Sequence, residues 1–183
     1  MITKKDEIDD LIDDRGPDIV TWGPKYATGI KLMDRQHEEL VFLTNQLYHA
    51  CLSGNEIAEK KFKDAMKRMV DYVHFHFGTE QQLLQKIGYP HYIEHKKMHD
   101  DLIRSILEAA KEFNEGRKFV PNHFVRTLKD WIFGHIGIED KNYAEYVAEQ
   151  KKKGRLTEEE INKIVTIAEP PADSAPAKTT SKQ

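Results

Sequence analysis

The sequence has few of the features that mark secreted or membrane proteins. Its single cysteine, Cys51, rules out an internal disulfide and fits a reducing compartment. No apolar run approaches the roughly 20 residues needed to span a bilayer, and no apolar stretch of signal-peptide length follows the first residues. We therefore expect a cytoplasmic protein that does not contact a membrane.

The charge balance also lacks a strong bias. A formal net charge of −3 gives no electrostatic basis for binding nucleic acid. Basic residues cluster only in short runs, at Lys60-Lys61 and Lys151–Lys153, which are typical of solvated helix surfaces. We expect no nucleic-acid partner.

Strand-like alternation of useful length and internal repeats are both absent, whereas helical periodicity is strong. Four segments carry apolar residues at helical spacing, from about Asp34 to Gly54, 56 to 87, 91 to 115 and 121 to 150. In the last segment we expect Trp131, Ile132 and Ile138 to face inward. Short connections between long helices favour antiparallel neighbours, so the predicted fold is all-α, an up-down-up-down antiparallel four-helix bundle.

The regions outside the bundle differ in composition. Residues 1–20 form an acidic N-terminal extension with the spacing of a short amphipathic helix, and 21–150 form the bundle domain. Residues 151–169 contain a predicted C-terminal helix, which Thr157 and Glu160 begin as a capping box. Residues 170–183, rich in proline, alanine, serine, threonine and lysine, have the composition of a disordered tail.

Seven side chains that can bind metal lie on the four predicted helices. Residues four apart on a helix point the same way, and each of these residues falls on an apolar face. Five imidazoles and two carboxylates in one core are enough for two octahedral metal ions joined by carboxylate bridges, and this donor mixture suits iron. The candidates are His37, His76 with Glu80, His95 with His99, and His135 with Asp140.

One pair does not fit the helical argument. Asp140 lies five residues after His135, which in an ideal helix places the two about 140° apart, whereas Glu139 has the four-residue spacing. Gly134 and Gly137 weaken this helix and could loosen the turn after His135. Geometry alone leaves Asp140 and Glu139 open.

The pattern resembles the hemerythrin family, in its single-domain bacterial form, the bacteriohemerythrins. The resemblance covers about Trp22 to Tyr146, with all seven family ligand positions filled. It favours Asp140 over Glu139. It rests on the motifs Asp34-Arg35-Gln36-His37, His76-Phe77-Gly78-Thr79-Glu80-Gln81, Gly88-Tyr89-Pro90, His95-Lys96-Lys97-Met98-His99 and Trp131-Ile132-Phe133-Gly134-His135, followed by Asp140.

The resemblance implies two iron ions per chain, ferrous without oxygen and ferric with it, joined by an oxo or hydroxo bridge. One iron would be held by His95, His99 and His135 and the other by His37 and His76, with Glu80 and Asp140 bridging both. The second iron would keep an open position for dioxygen. Beside it we expect a dry apolar pocket formed by Phe77, Trp131 and Ile132.

The function that the resemblance implies is reversible dioxygen binding for oxygen storage, transport or delivery, and not catalysis. Ferritin-like di-iron oxidases surround their metals with more carboxylates, whereas the imidazole-rich set here resists oxidation beyond the ferric state. The alternatives are an oxygen- or redox-sensing module, with a protein partner docked on a terminal extension, and a di-iron enzyme acting on peroxide or nitric oxide. For such an enzyme Tyr48 or Tyr72 would be the candidate acid–base residue.

Overall fold

The computed structural model describes residues 16–53, 56–117 and 120–165, and all its regular elements are helical. The N-terminal helix expected within 1–20 and the tail at 170–183 lie outside the described residues. Within the described part, no helix is both long enough and apolar enough to cross a membrane. The helices are α1 (Lys31–Ser53), α2 (Glu56–Lys86), α3 (Tyr92–Asn114), α4 (Val120–Trp131), α5 (Asp140–Lys152) and α6 (Glu158–Val165), with a π-helical segment at Ile132–Glu139.

The predicted bundle is formed by four helical rods. The first three are α1, α2 and α3, and the fourth consists of α4, the π-helical segment and α5, which follow one another without a break. Sequential rods pack side by side, and α1 also packs against α4, which closes the ring. The turn after α2 is tight because Gly88 adopts φ +66°, which lets the Tyr89 N–H donate to the Leu84 carbonyl at 2.9 Å. This turn sets where α3, with His95 and His99, begins.

The core consists of two apolar clusters stacked along the bundle. The first contains Leu40, Phe77 and Ile136, and the second contains Met33, Leu83 and Tyr143. In α1, in α2 and in the fourth rod, a residue of each cluster lies on either side of a predicted metal ligand in the sequence. These ligands are His37, Glu80 and Asp140, respectively. The candidate site therefore lies between the clusters, at mid-height in the bundle.

The structure corrects two details of the fourth rod. It is not one continuous α-helix, since eight residues from Ile132 to Glu139 adopt the wider π-helical turn. Ile138, which we expected to face inward, is 51% exposed. The wider turn changes the angle between successive side chains, so α-helical periodicity gives the wrong direction here.

Both ends of the chain's described part are fixed to the bundle. The first helix begins at Lys31 and not near Asp34, whose carboxylate accepts the N–H groups of Thr28 at 2.6 Å and Gly29 at 3.1 Å. At the other end the predicted capping box is confirmed, because the Thr157 N–H donates to Glu160 Oε2 at 2.8 Å. Ile161 of α6 is buried in the second cluster, so the apolar face of α6 is engaged with its own bundle.

Candidate metal centre

The seven predicted ligands meet in the middle of the bundle, and each is at most 3% exposed. Donor atoms of six of them form two groups, and within each group every atom lies within 4.8 Å of the others. One group contains Glu80, His95, His99 and His135; the other contains His37, His76 and Glu80. We call them the three-histidine group and the two-histidine group.

Glu80 directs one carboxylate oxygen toward each group. Its Oε1 lies 2.5 Å from Nε2 of His95, and its Oε2 lies 3.3 Å from Nε2 of His76. A carboxylate placed in this way can bridge two metal ions.

Asp140 also directs one carboxylate oxygen toward each set of histidines. Its Oδ1 lies 3.2 Å from Nε2 of His135, and its Oδ2 lies 3.2 Å from Nε2 of His37. The two carboxylates therefore stand between the same two sets of imidazoles.

The π-helical segment explains how Asp140 reaches the site. The backbone N–H of Asp140 donates to the carbonyl of His135, five residues earlier, which is the hydrogen-bond pattern of a π-helical turn. Glu139, the choice of regular helical geometry, is half-buried outside the two groups, and its Oε2 accepts a hydrogen bond from Asn142 at 3.2 Å. The structure thus brings Asp140, and not Glu139, to the histidines.

Two glutamine side chains orient the imidazoles. Nδ1 of His76 lies 2.9 Å from Oε1 of Gln36. Because an amide oxygen can only accept, the Nδ1–H of His76 donates this hydrogen bond. The other ring nitrogen, Nε2, therefore keeps a free lone pair on the side of Glu80. The side-chain amide of Gln81 lies 3.1 Å from Nδ1 of His99. A partner such as Gln36 fixes the tautomer and direction of a metal-binding histidine.

Aromatic rings enclose the imidazoles. Phe77 stacks on His99 with ring centroids 3.7 Å apart, and Trp131 stacks on His135 at 4.3 Å. Two of the three predicted pocket residues therefore lie flat against the three-histidine group, although Phe77 also contacts His76 at 5.5 Å. Ile132 is 2% exposed in the first apolar cluster. That these residues form an oxygen pocket remains a prediction.

Burial favours the neutral form of His37, His76, His99 and His135. The pKa of His76 is lowered to about 4, chiefly by burial, although Glu80 opposes the shift. The pKa values of His37, His99 and His135 are lowered well below the usual value, again mainly by burial and further by neighbouring histidines. Neutral imidazoles are the form that binds metal.

The carboxylate of Asp140 lacks a compensating positive charge. Burial, and then the neighbouring Glu80 and Glu139, raise its pKa well above the usual value, while Lys141 lowers it. Both Asp140 oxygens, Oε2 of Glu80 and Nε2 of His37 and His76 are buried without a hydrogen-bond partner among the described residues. Unpaired buried polar atoms are costly, and a cation between them would satisfy all of them. The donor set therefore fits a pair of divalent metal ions.

Several residues at the site were missed by the sequence analysis. Trp22, in the loop before α1, is 6.3 Å from the ring of His37, a tertiary contact with no local signal. Tyr143 is 0% exposed and lies edge-on to His95 at 5.7 Å. Its spacing of three residues after Asp140 on a helix could have indicated it. Among the described residues, neither Tyr48 nor Tyr72, the suggested acid–base residues, has a ring contact with a predicted ligand. Tyr48 packs on His49, and Tyr72 packs on Phe75.

The fold and the centre together define a class of protein, a helical bundle with a buried cluster of histidines and carboxylates that fits metal. Comparisons with known proteins identify the family within this class. The family model of the hemerythrin HHE cation binding domain matches residues 28–147. The chain is 32% identical over 126 residues to the bacteriohemerythrin of Methylococcus capsulatus, a match covering 68% of this chain and 94% of that protein. The chain belongs to the hemerythrin family.

Other relatives agree. A bacteriohemerythrin of Pseudomonas aeruginosa is 32% identical over 128 residues, covering 70% of this chain and 81% of that protein. A solved structure described as wild-type hemerythrin superposes with a TM-score of 0.64 and 29% identity, over 69% of this chain and 96% of that one. The all-α four-helix bundle predicted from the sequence is confirmed.

Proposed function

We propose that the chain binds dioxygen reversibly at a non-haem di-iron centre, for oxygen storage, transport or delivery. The placement of the two carboxylates carries this proposal, because Glu80 and Asp140 each direct one oxygen to the two-histidine side and one to the three-histidine side. Membership of the hemerythrin family and the similarity to proteins named bacteriohemerythrin support it.

In this proposal His95, His99 and His135 would hold one iron, His37 and His76 would hold the other, and Glu80 and Asp140 would each contribute one oxygen to both. When bound, the iron pair supplies the electrons that dioxygen takes up on binding and returns on release. The two-histidine group offers one imidazole fewer, so we place the exchangeable position on that side.

The surrounding residues have three tasks. Gln36 holds His76 with Nε2 free for metal, through the hydrogen bond to Nδ1. Stacked Phe77 and Trp131 and buried Ile132 exclude water from the imidazoles. Exclusion of water strengthens the attraction between the metal ions and the carboxylates, because the local dielectric constant is low.

We infer that the centre binds dioxygen without consuming it. Among the tyrosines of the described residues, Tyr143 has the shortest ring distance to a predicted ligand, 5.7 Å to His95, and the pKa of its hydroxyl is raised well above the usual value, first by burial and then by Glu80 and Asp140. A hydroxyl that retains its proton so firmly is a poor general acid. A steady-state assay of hydrogen peroxide consumption tests this, and sustained turnover at a protein-dependent rate would favour the enzyme.

The experiment for oxygen binding is an optical spectrum with iron counted, followed through reduction, exposure to air and purging with argon. We expect two irons per chain and a visible charge-transfer band that appears in air and fades under argon. Two irons that pass to a stable ferric spectrum would favour a redox sensor or an enzyme. A chain that binds no iron would contradict the proposal.

A pair of histidine variants makes the assay specific to the site. His37→Asn should reduce the iron content and abolish the reversible band, because it removes one of two imidazoles from its group. His74→Asn is the matched control, since His74 lies on the exposed side of the same bundle. Equal effects of the two substitutions would contradict the assignment of His37.

A further inference from the structure

An open cleft lies directly beside the centre, between the beginning of α3 and the helix α5. Its volume is about 800 Å³. Its walls carry the carboxylates of Glu94, Glu139 and Glu145, and its inner side is lined by Tyr89 and His95. The cleft therefore joins solvent to a residue that the proposed centre uses.

The cleft is negatively charged. Within the described ranges, Glu94, Glu139 and Glu145 form no ion pair with a lysine or an arginine, whereas Glu149 at the edge pairs with Lys153 at 2.6 Å. Among the described residues, the donor groups close enough to hold one ion together are those of the centre, and none of these three glutamates belongs to them. The glutamates can therefore attract a cation through their field without retaining it.

Tyr89 lines the cleft beside the centre. Only 7% of the residue is exposed, and its hydroxyl forms no hydrogen bond to any of the described residues, although it lines the cleft. Its ring lies edge-on to His95 at 6.5 Å. Burial raises the pKa of Tyr89, as do carboxylates on both of its sides, Glu139 and Glu94 in the cleft and Asp140 and Glu80 in the centre.

His95 connects the two spaces. It is 2% exposed and lines the cleft, while its Nε2 lies 2.5 Å from Oε1 of Glu80. Of the seven predicted ligands, it is the one that also forms a wall of this cleft. An ion that moves past Tyr89 would meet the imidazole of His95 first.

We infer that this acidic cleft is the entrance through which divalent metal ions reach the centre, with Tyr89 and His95 as its inner wall. The inference rests on the proposed di-iron centre. Three unpaired carboxylates raise the concentration of cations at the mouth, and charged clefts of this kind raise association rates by about 10- to 1,000-fold. The Tyr89 hydroxyl, which has no hydrogen-bond partner among the described residues, offers a passing ion a further oxygen in the cleft.

The test measures how fast metal-free protein takes up Co²⁺ in stopped flow, with tryptophan emission as the signal. Trp131 stacks on His135, and Trp22 lies beside His37, so both tryptophans of the chain report on the centre. The cleft variant is E94Q/E139Q/E145Q. Its matched control is the variant E59Q/D71N/E108Q, which removes the same number of charges from exposed positions outside the cleft.

At low ionic strength we expect the cleft variant to take up Co²⁺ about tenfold more slowly than the unmodified chain, and the control variant to change by less than about twofold. Added salt should slow the unmodified chain and affect the cleft variant much less. Equal slowing of Co²⁺ uptake in both variants, or an unchanged rate in the cleft variant, would overturn the inference that the cleft is the entrance.

Equilibrium binding separates this inference from the proposed function. If the unmodified chain and the cleft variant both bind two Co²⁺ per chain at equilibrium, the centre stands whatever the rates show. Fewer than two ions bound by the unmodified chain at saturation would contradict the centre and the entrance together.

Discussion

The hydroxyl of Tyr143 gives a direct test of how the metal-free core is balanced. Tyr143 is 0% exposed, and its hydroxyl has no hydrogen-bond partner among the described residues. A buried polar group without a partner costs about 1–3 kcal/mol. Tyr143→Phe removes that group but keeps the ring that packs against His95 and Tyr89. We therefore expect this substitution to stabilise the metal-free protein by up to about 1–3 kcal/mol.

Tyr146→Phe is the matched control on the same helix. The hydroxyl of Tyr146 donates to the carbonyl of Gly88 at 3.1 Å, so its removal deletes a hydrogen bond. We expect a destabilisation of about 0.5–1.5 kcal/mol. The same chemical change at two positions three residues apart should thus shift the free energy of unfolding in opposite directions.

The assay is urea unfolding of metal-free protein, in which the midpoint should shift without a change in slope. In thermal unfolding each kcal/mol should move Tm by about 2–4 °C for a chain of this size. A Tyr143→Phe midpoint as low as that of Tyr146→Phe would refute the reasoning, because it would mean that the Tyr143 hydroxyl has an acceptor.

Three further predictions concern other parts of the molecule. Burial raises the pKa of the Cys51 thiol to about 11, so iodoacetamide at pH 8 should label it much more slowly in the folded than in the unfolded protein; equal labelling rates would contradict this. Ile132→Thr places a hydroxyl at a 2% exposed position, and we expect faster autoxidation of the iron-loaded protein; an unchanged rate would argue against the dry pocket. Asn45→Ala leaves the buried N–H and carbonyl of Val20 unpaired. We expect the free energy of unfolding, measured in urea, to fall by about 2 kcal/mol or more. A decrease below about 0.5 kcal/mol would mean that water replaces the amide.

Helical periodicity predicted most of the site because it fixes direction as well as secondary structure. His76 and Glu80 are four residues apart on α2, and His95 and His99 are four apart on α3, so each pair was expected on one inward face. In the structure all four residues are at most 2% exposed and their donor atoms meet. Whether they bind iron stays a prediction, but their convergence follows from regular geometry.

The same rule fails where the helix is not regular. It favours Glu139 over Asp140 and turns Ile138 inward, and the π-helical turn reverses both choices. Gly134 and Gly137 indicated that the segment could deviate, but not which wider turn it would adopt. The contact of Trp22 with His37 joins a loop to a helix, and no periodicity describes such a contact.

The position of the centre between two apolar clusters explains how the bundle tolerates so many buried polar groups. The residues on either side, such as Phe77 and Leu83 on α2, are fully or almost fully buried and belong to different clusters. Each cluster can stabilise its own half of the bundle through apolar burial. The carboxylates and imidazoles between them can then remain poorly paired in the absence of metal, and a metal pair that satisfied them would bind the folded chain in preference to the unfolded one. Its binding free energy would therefore add to the stability of the bundle.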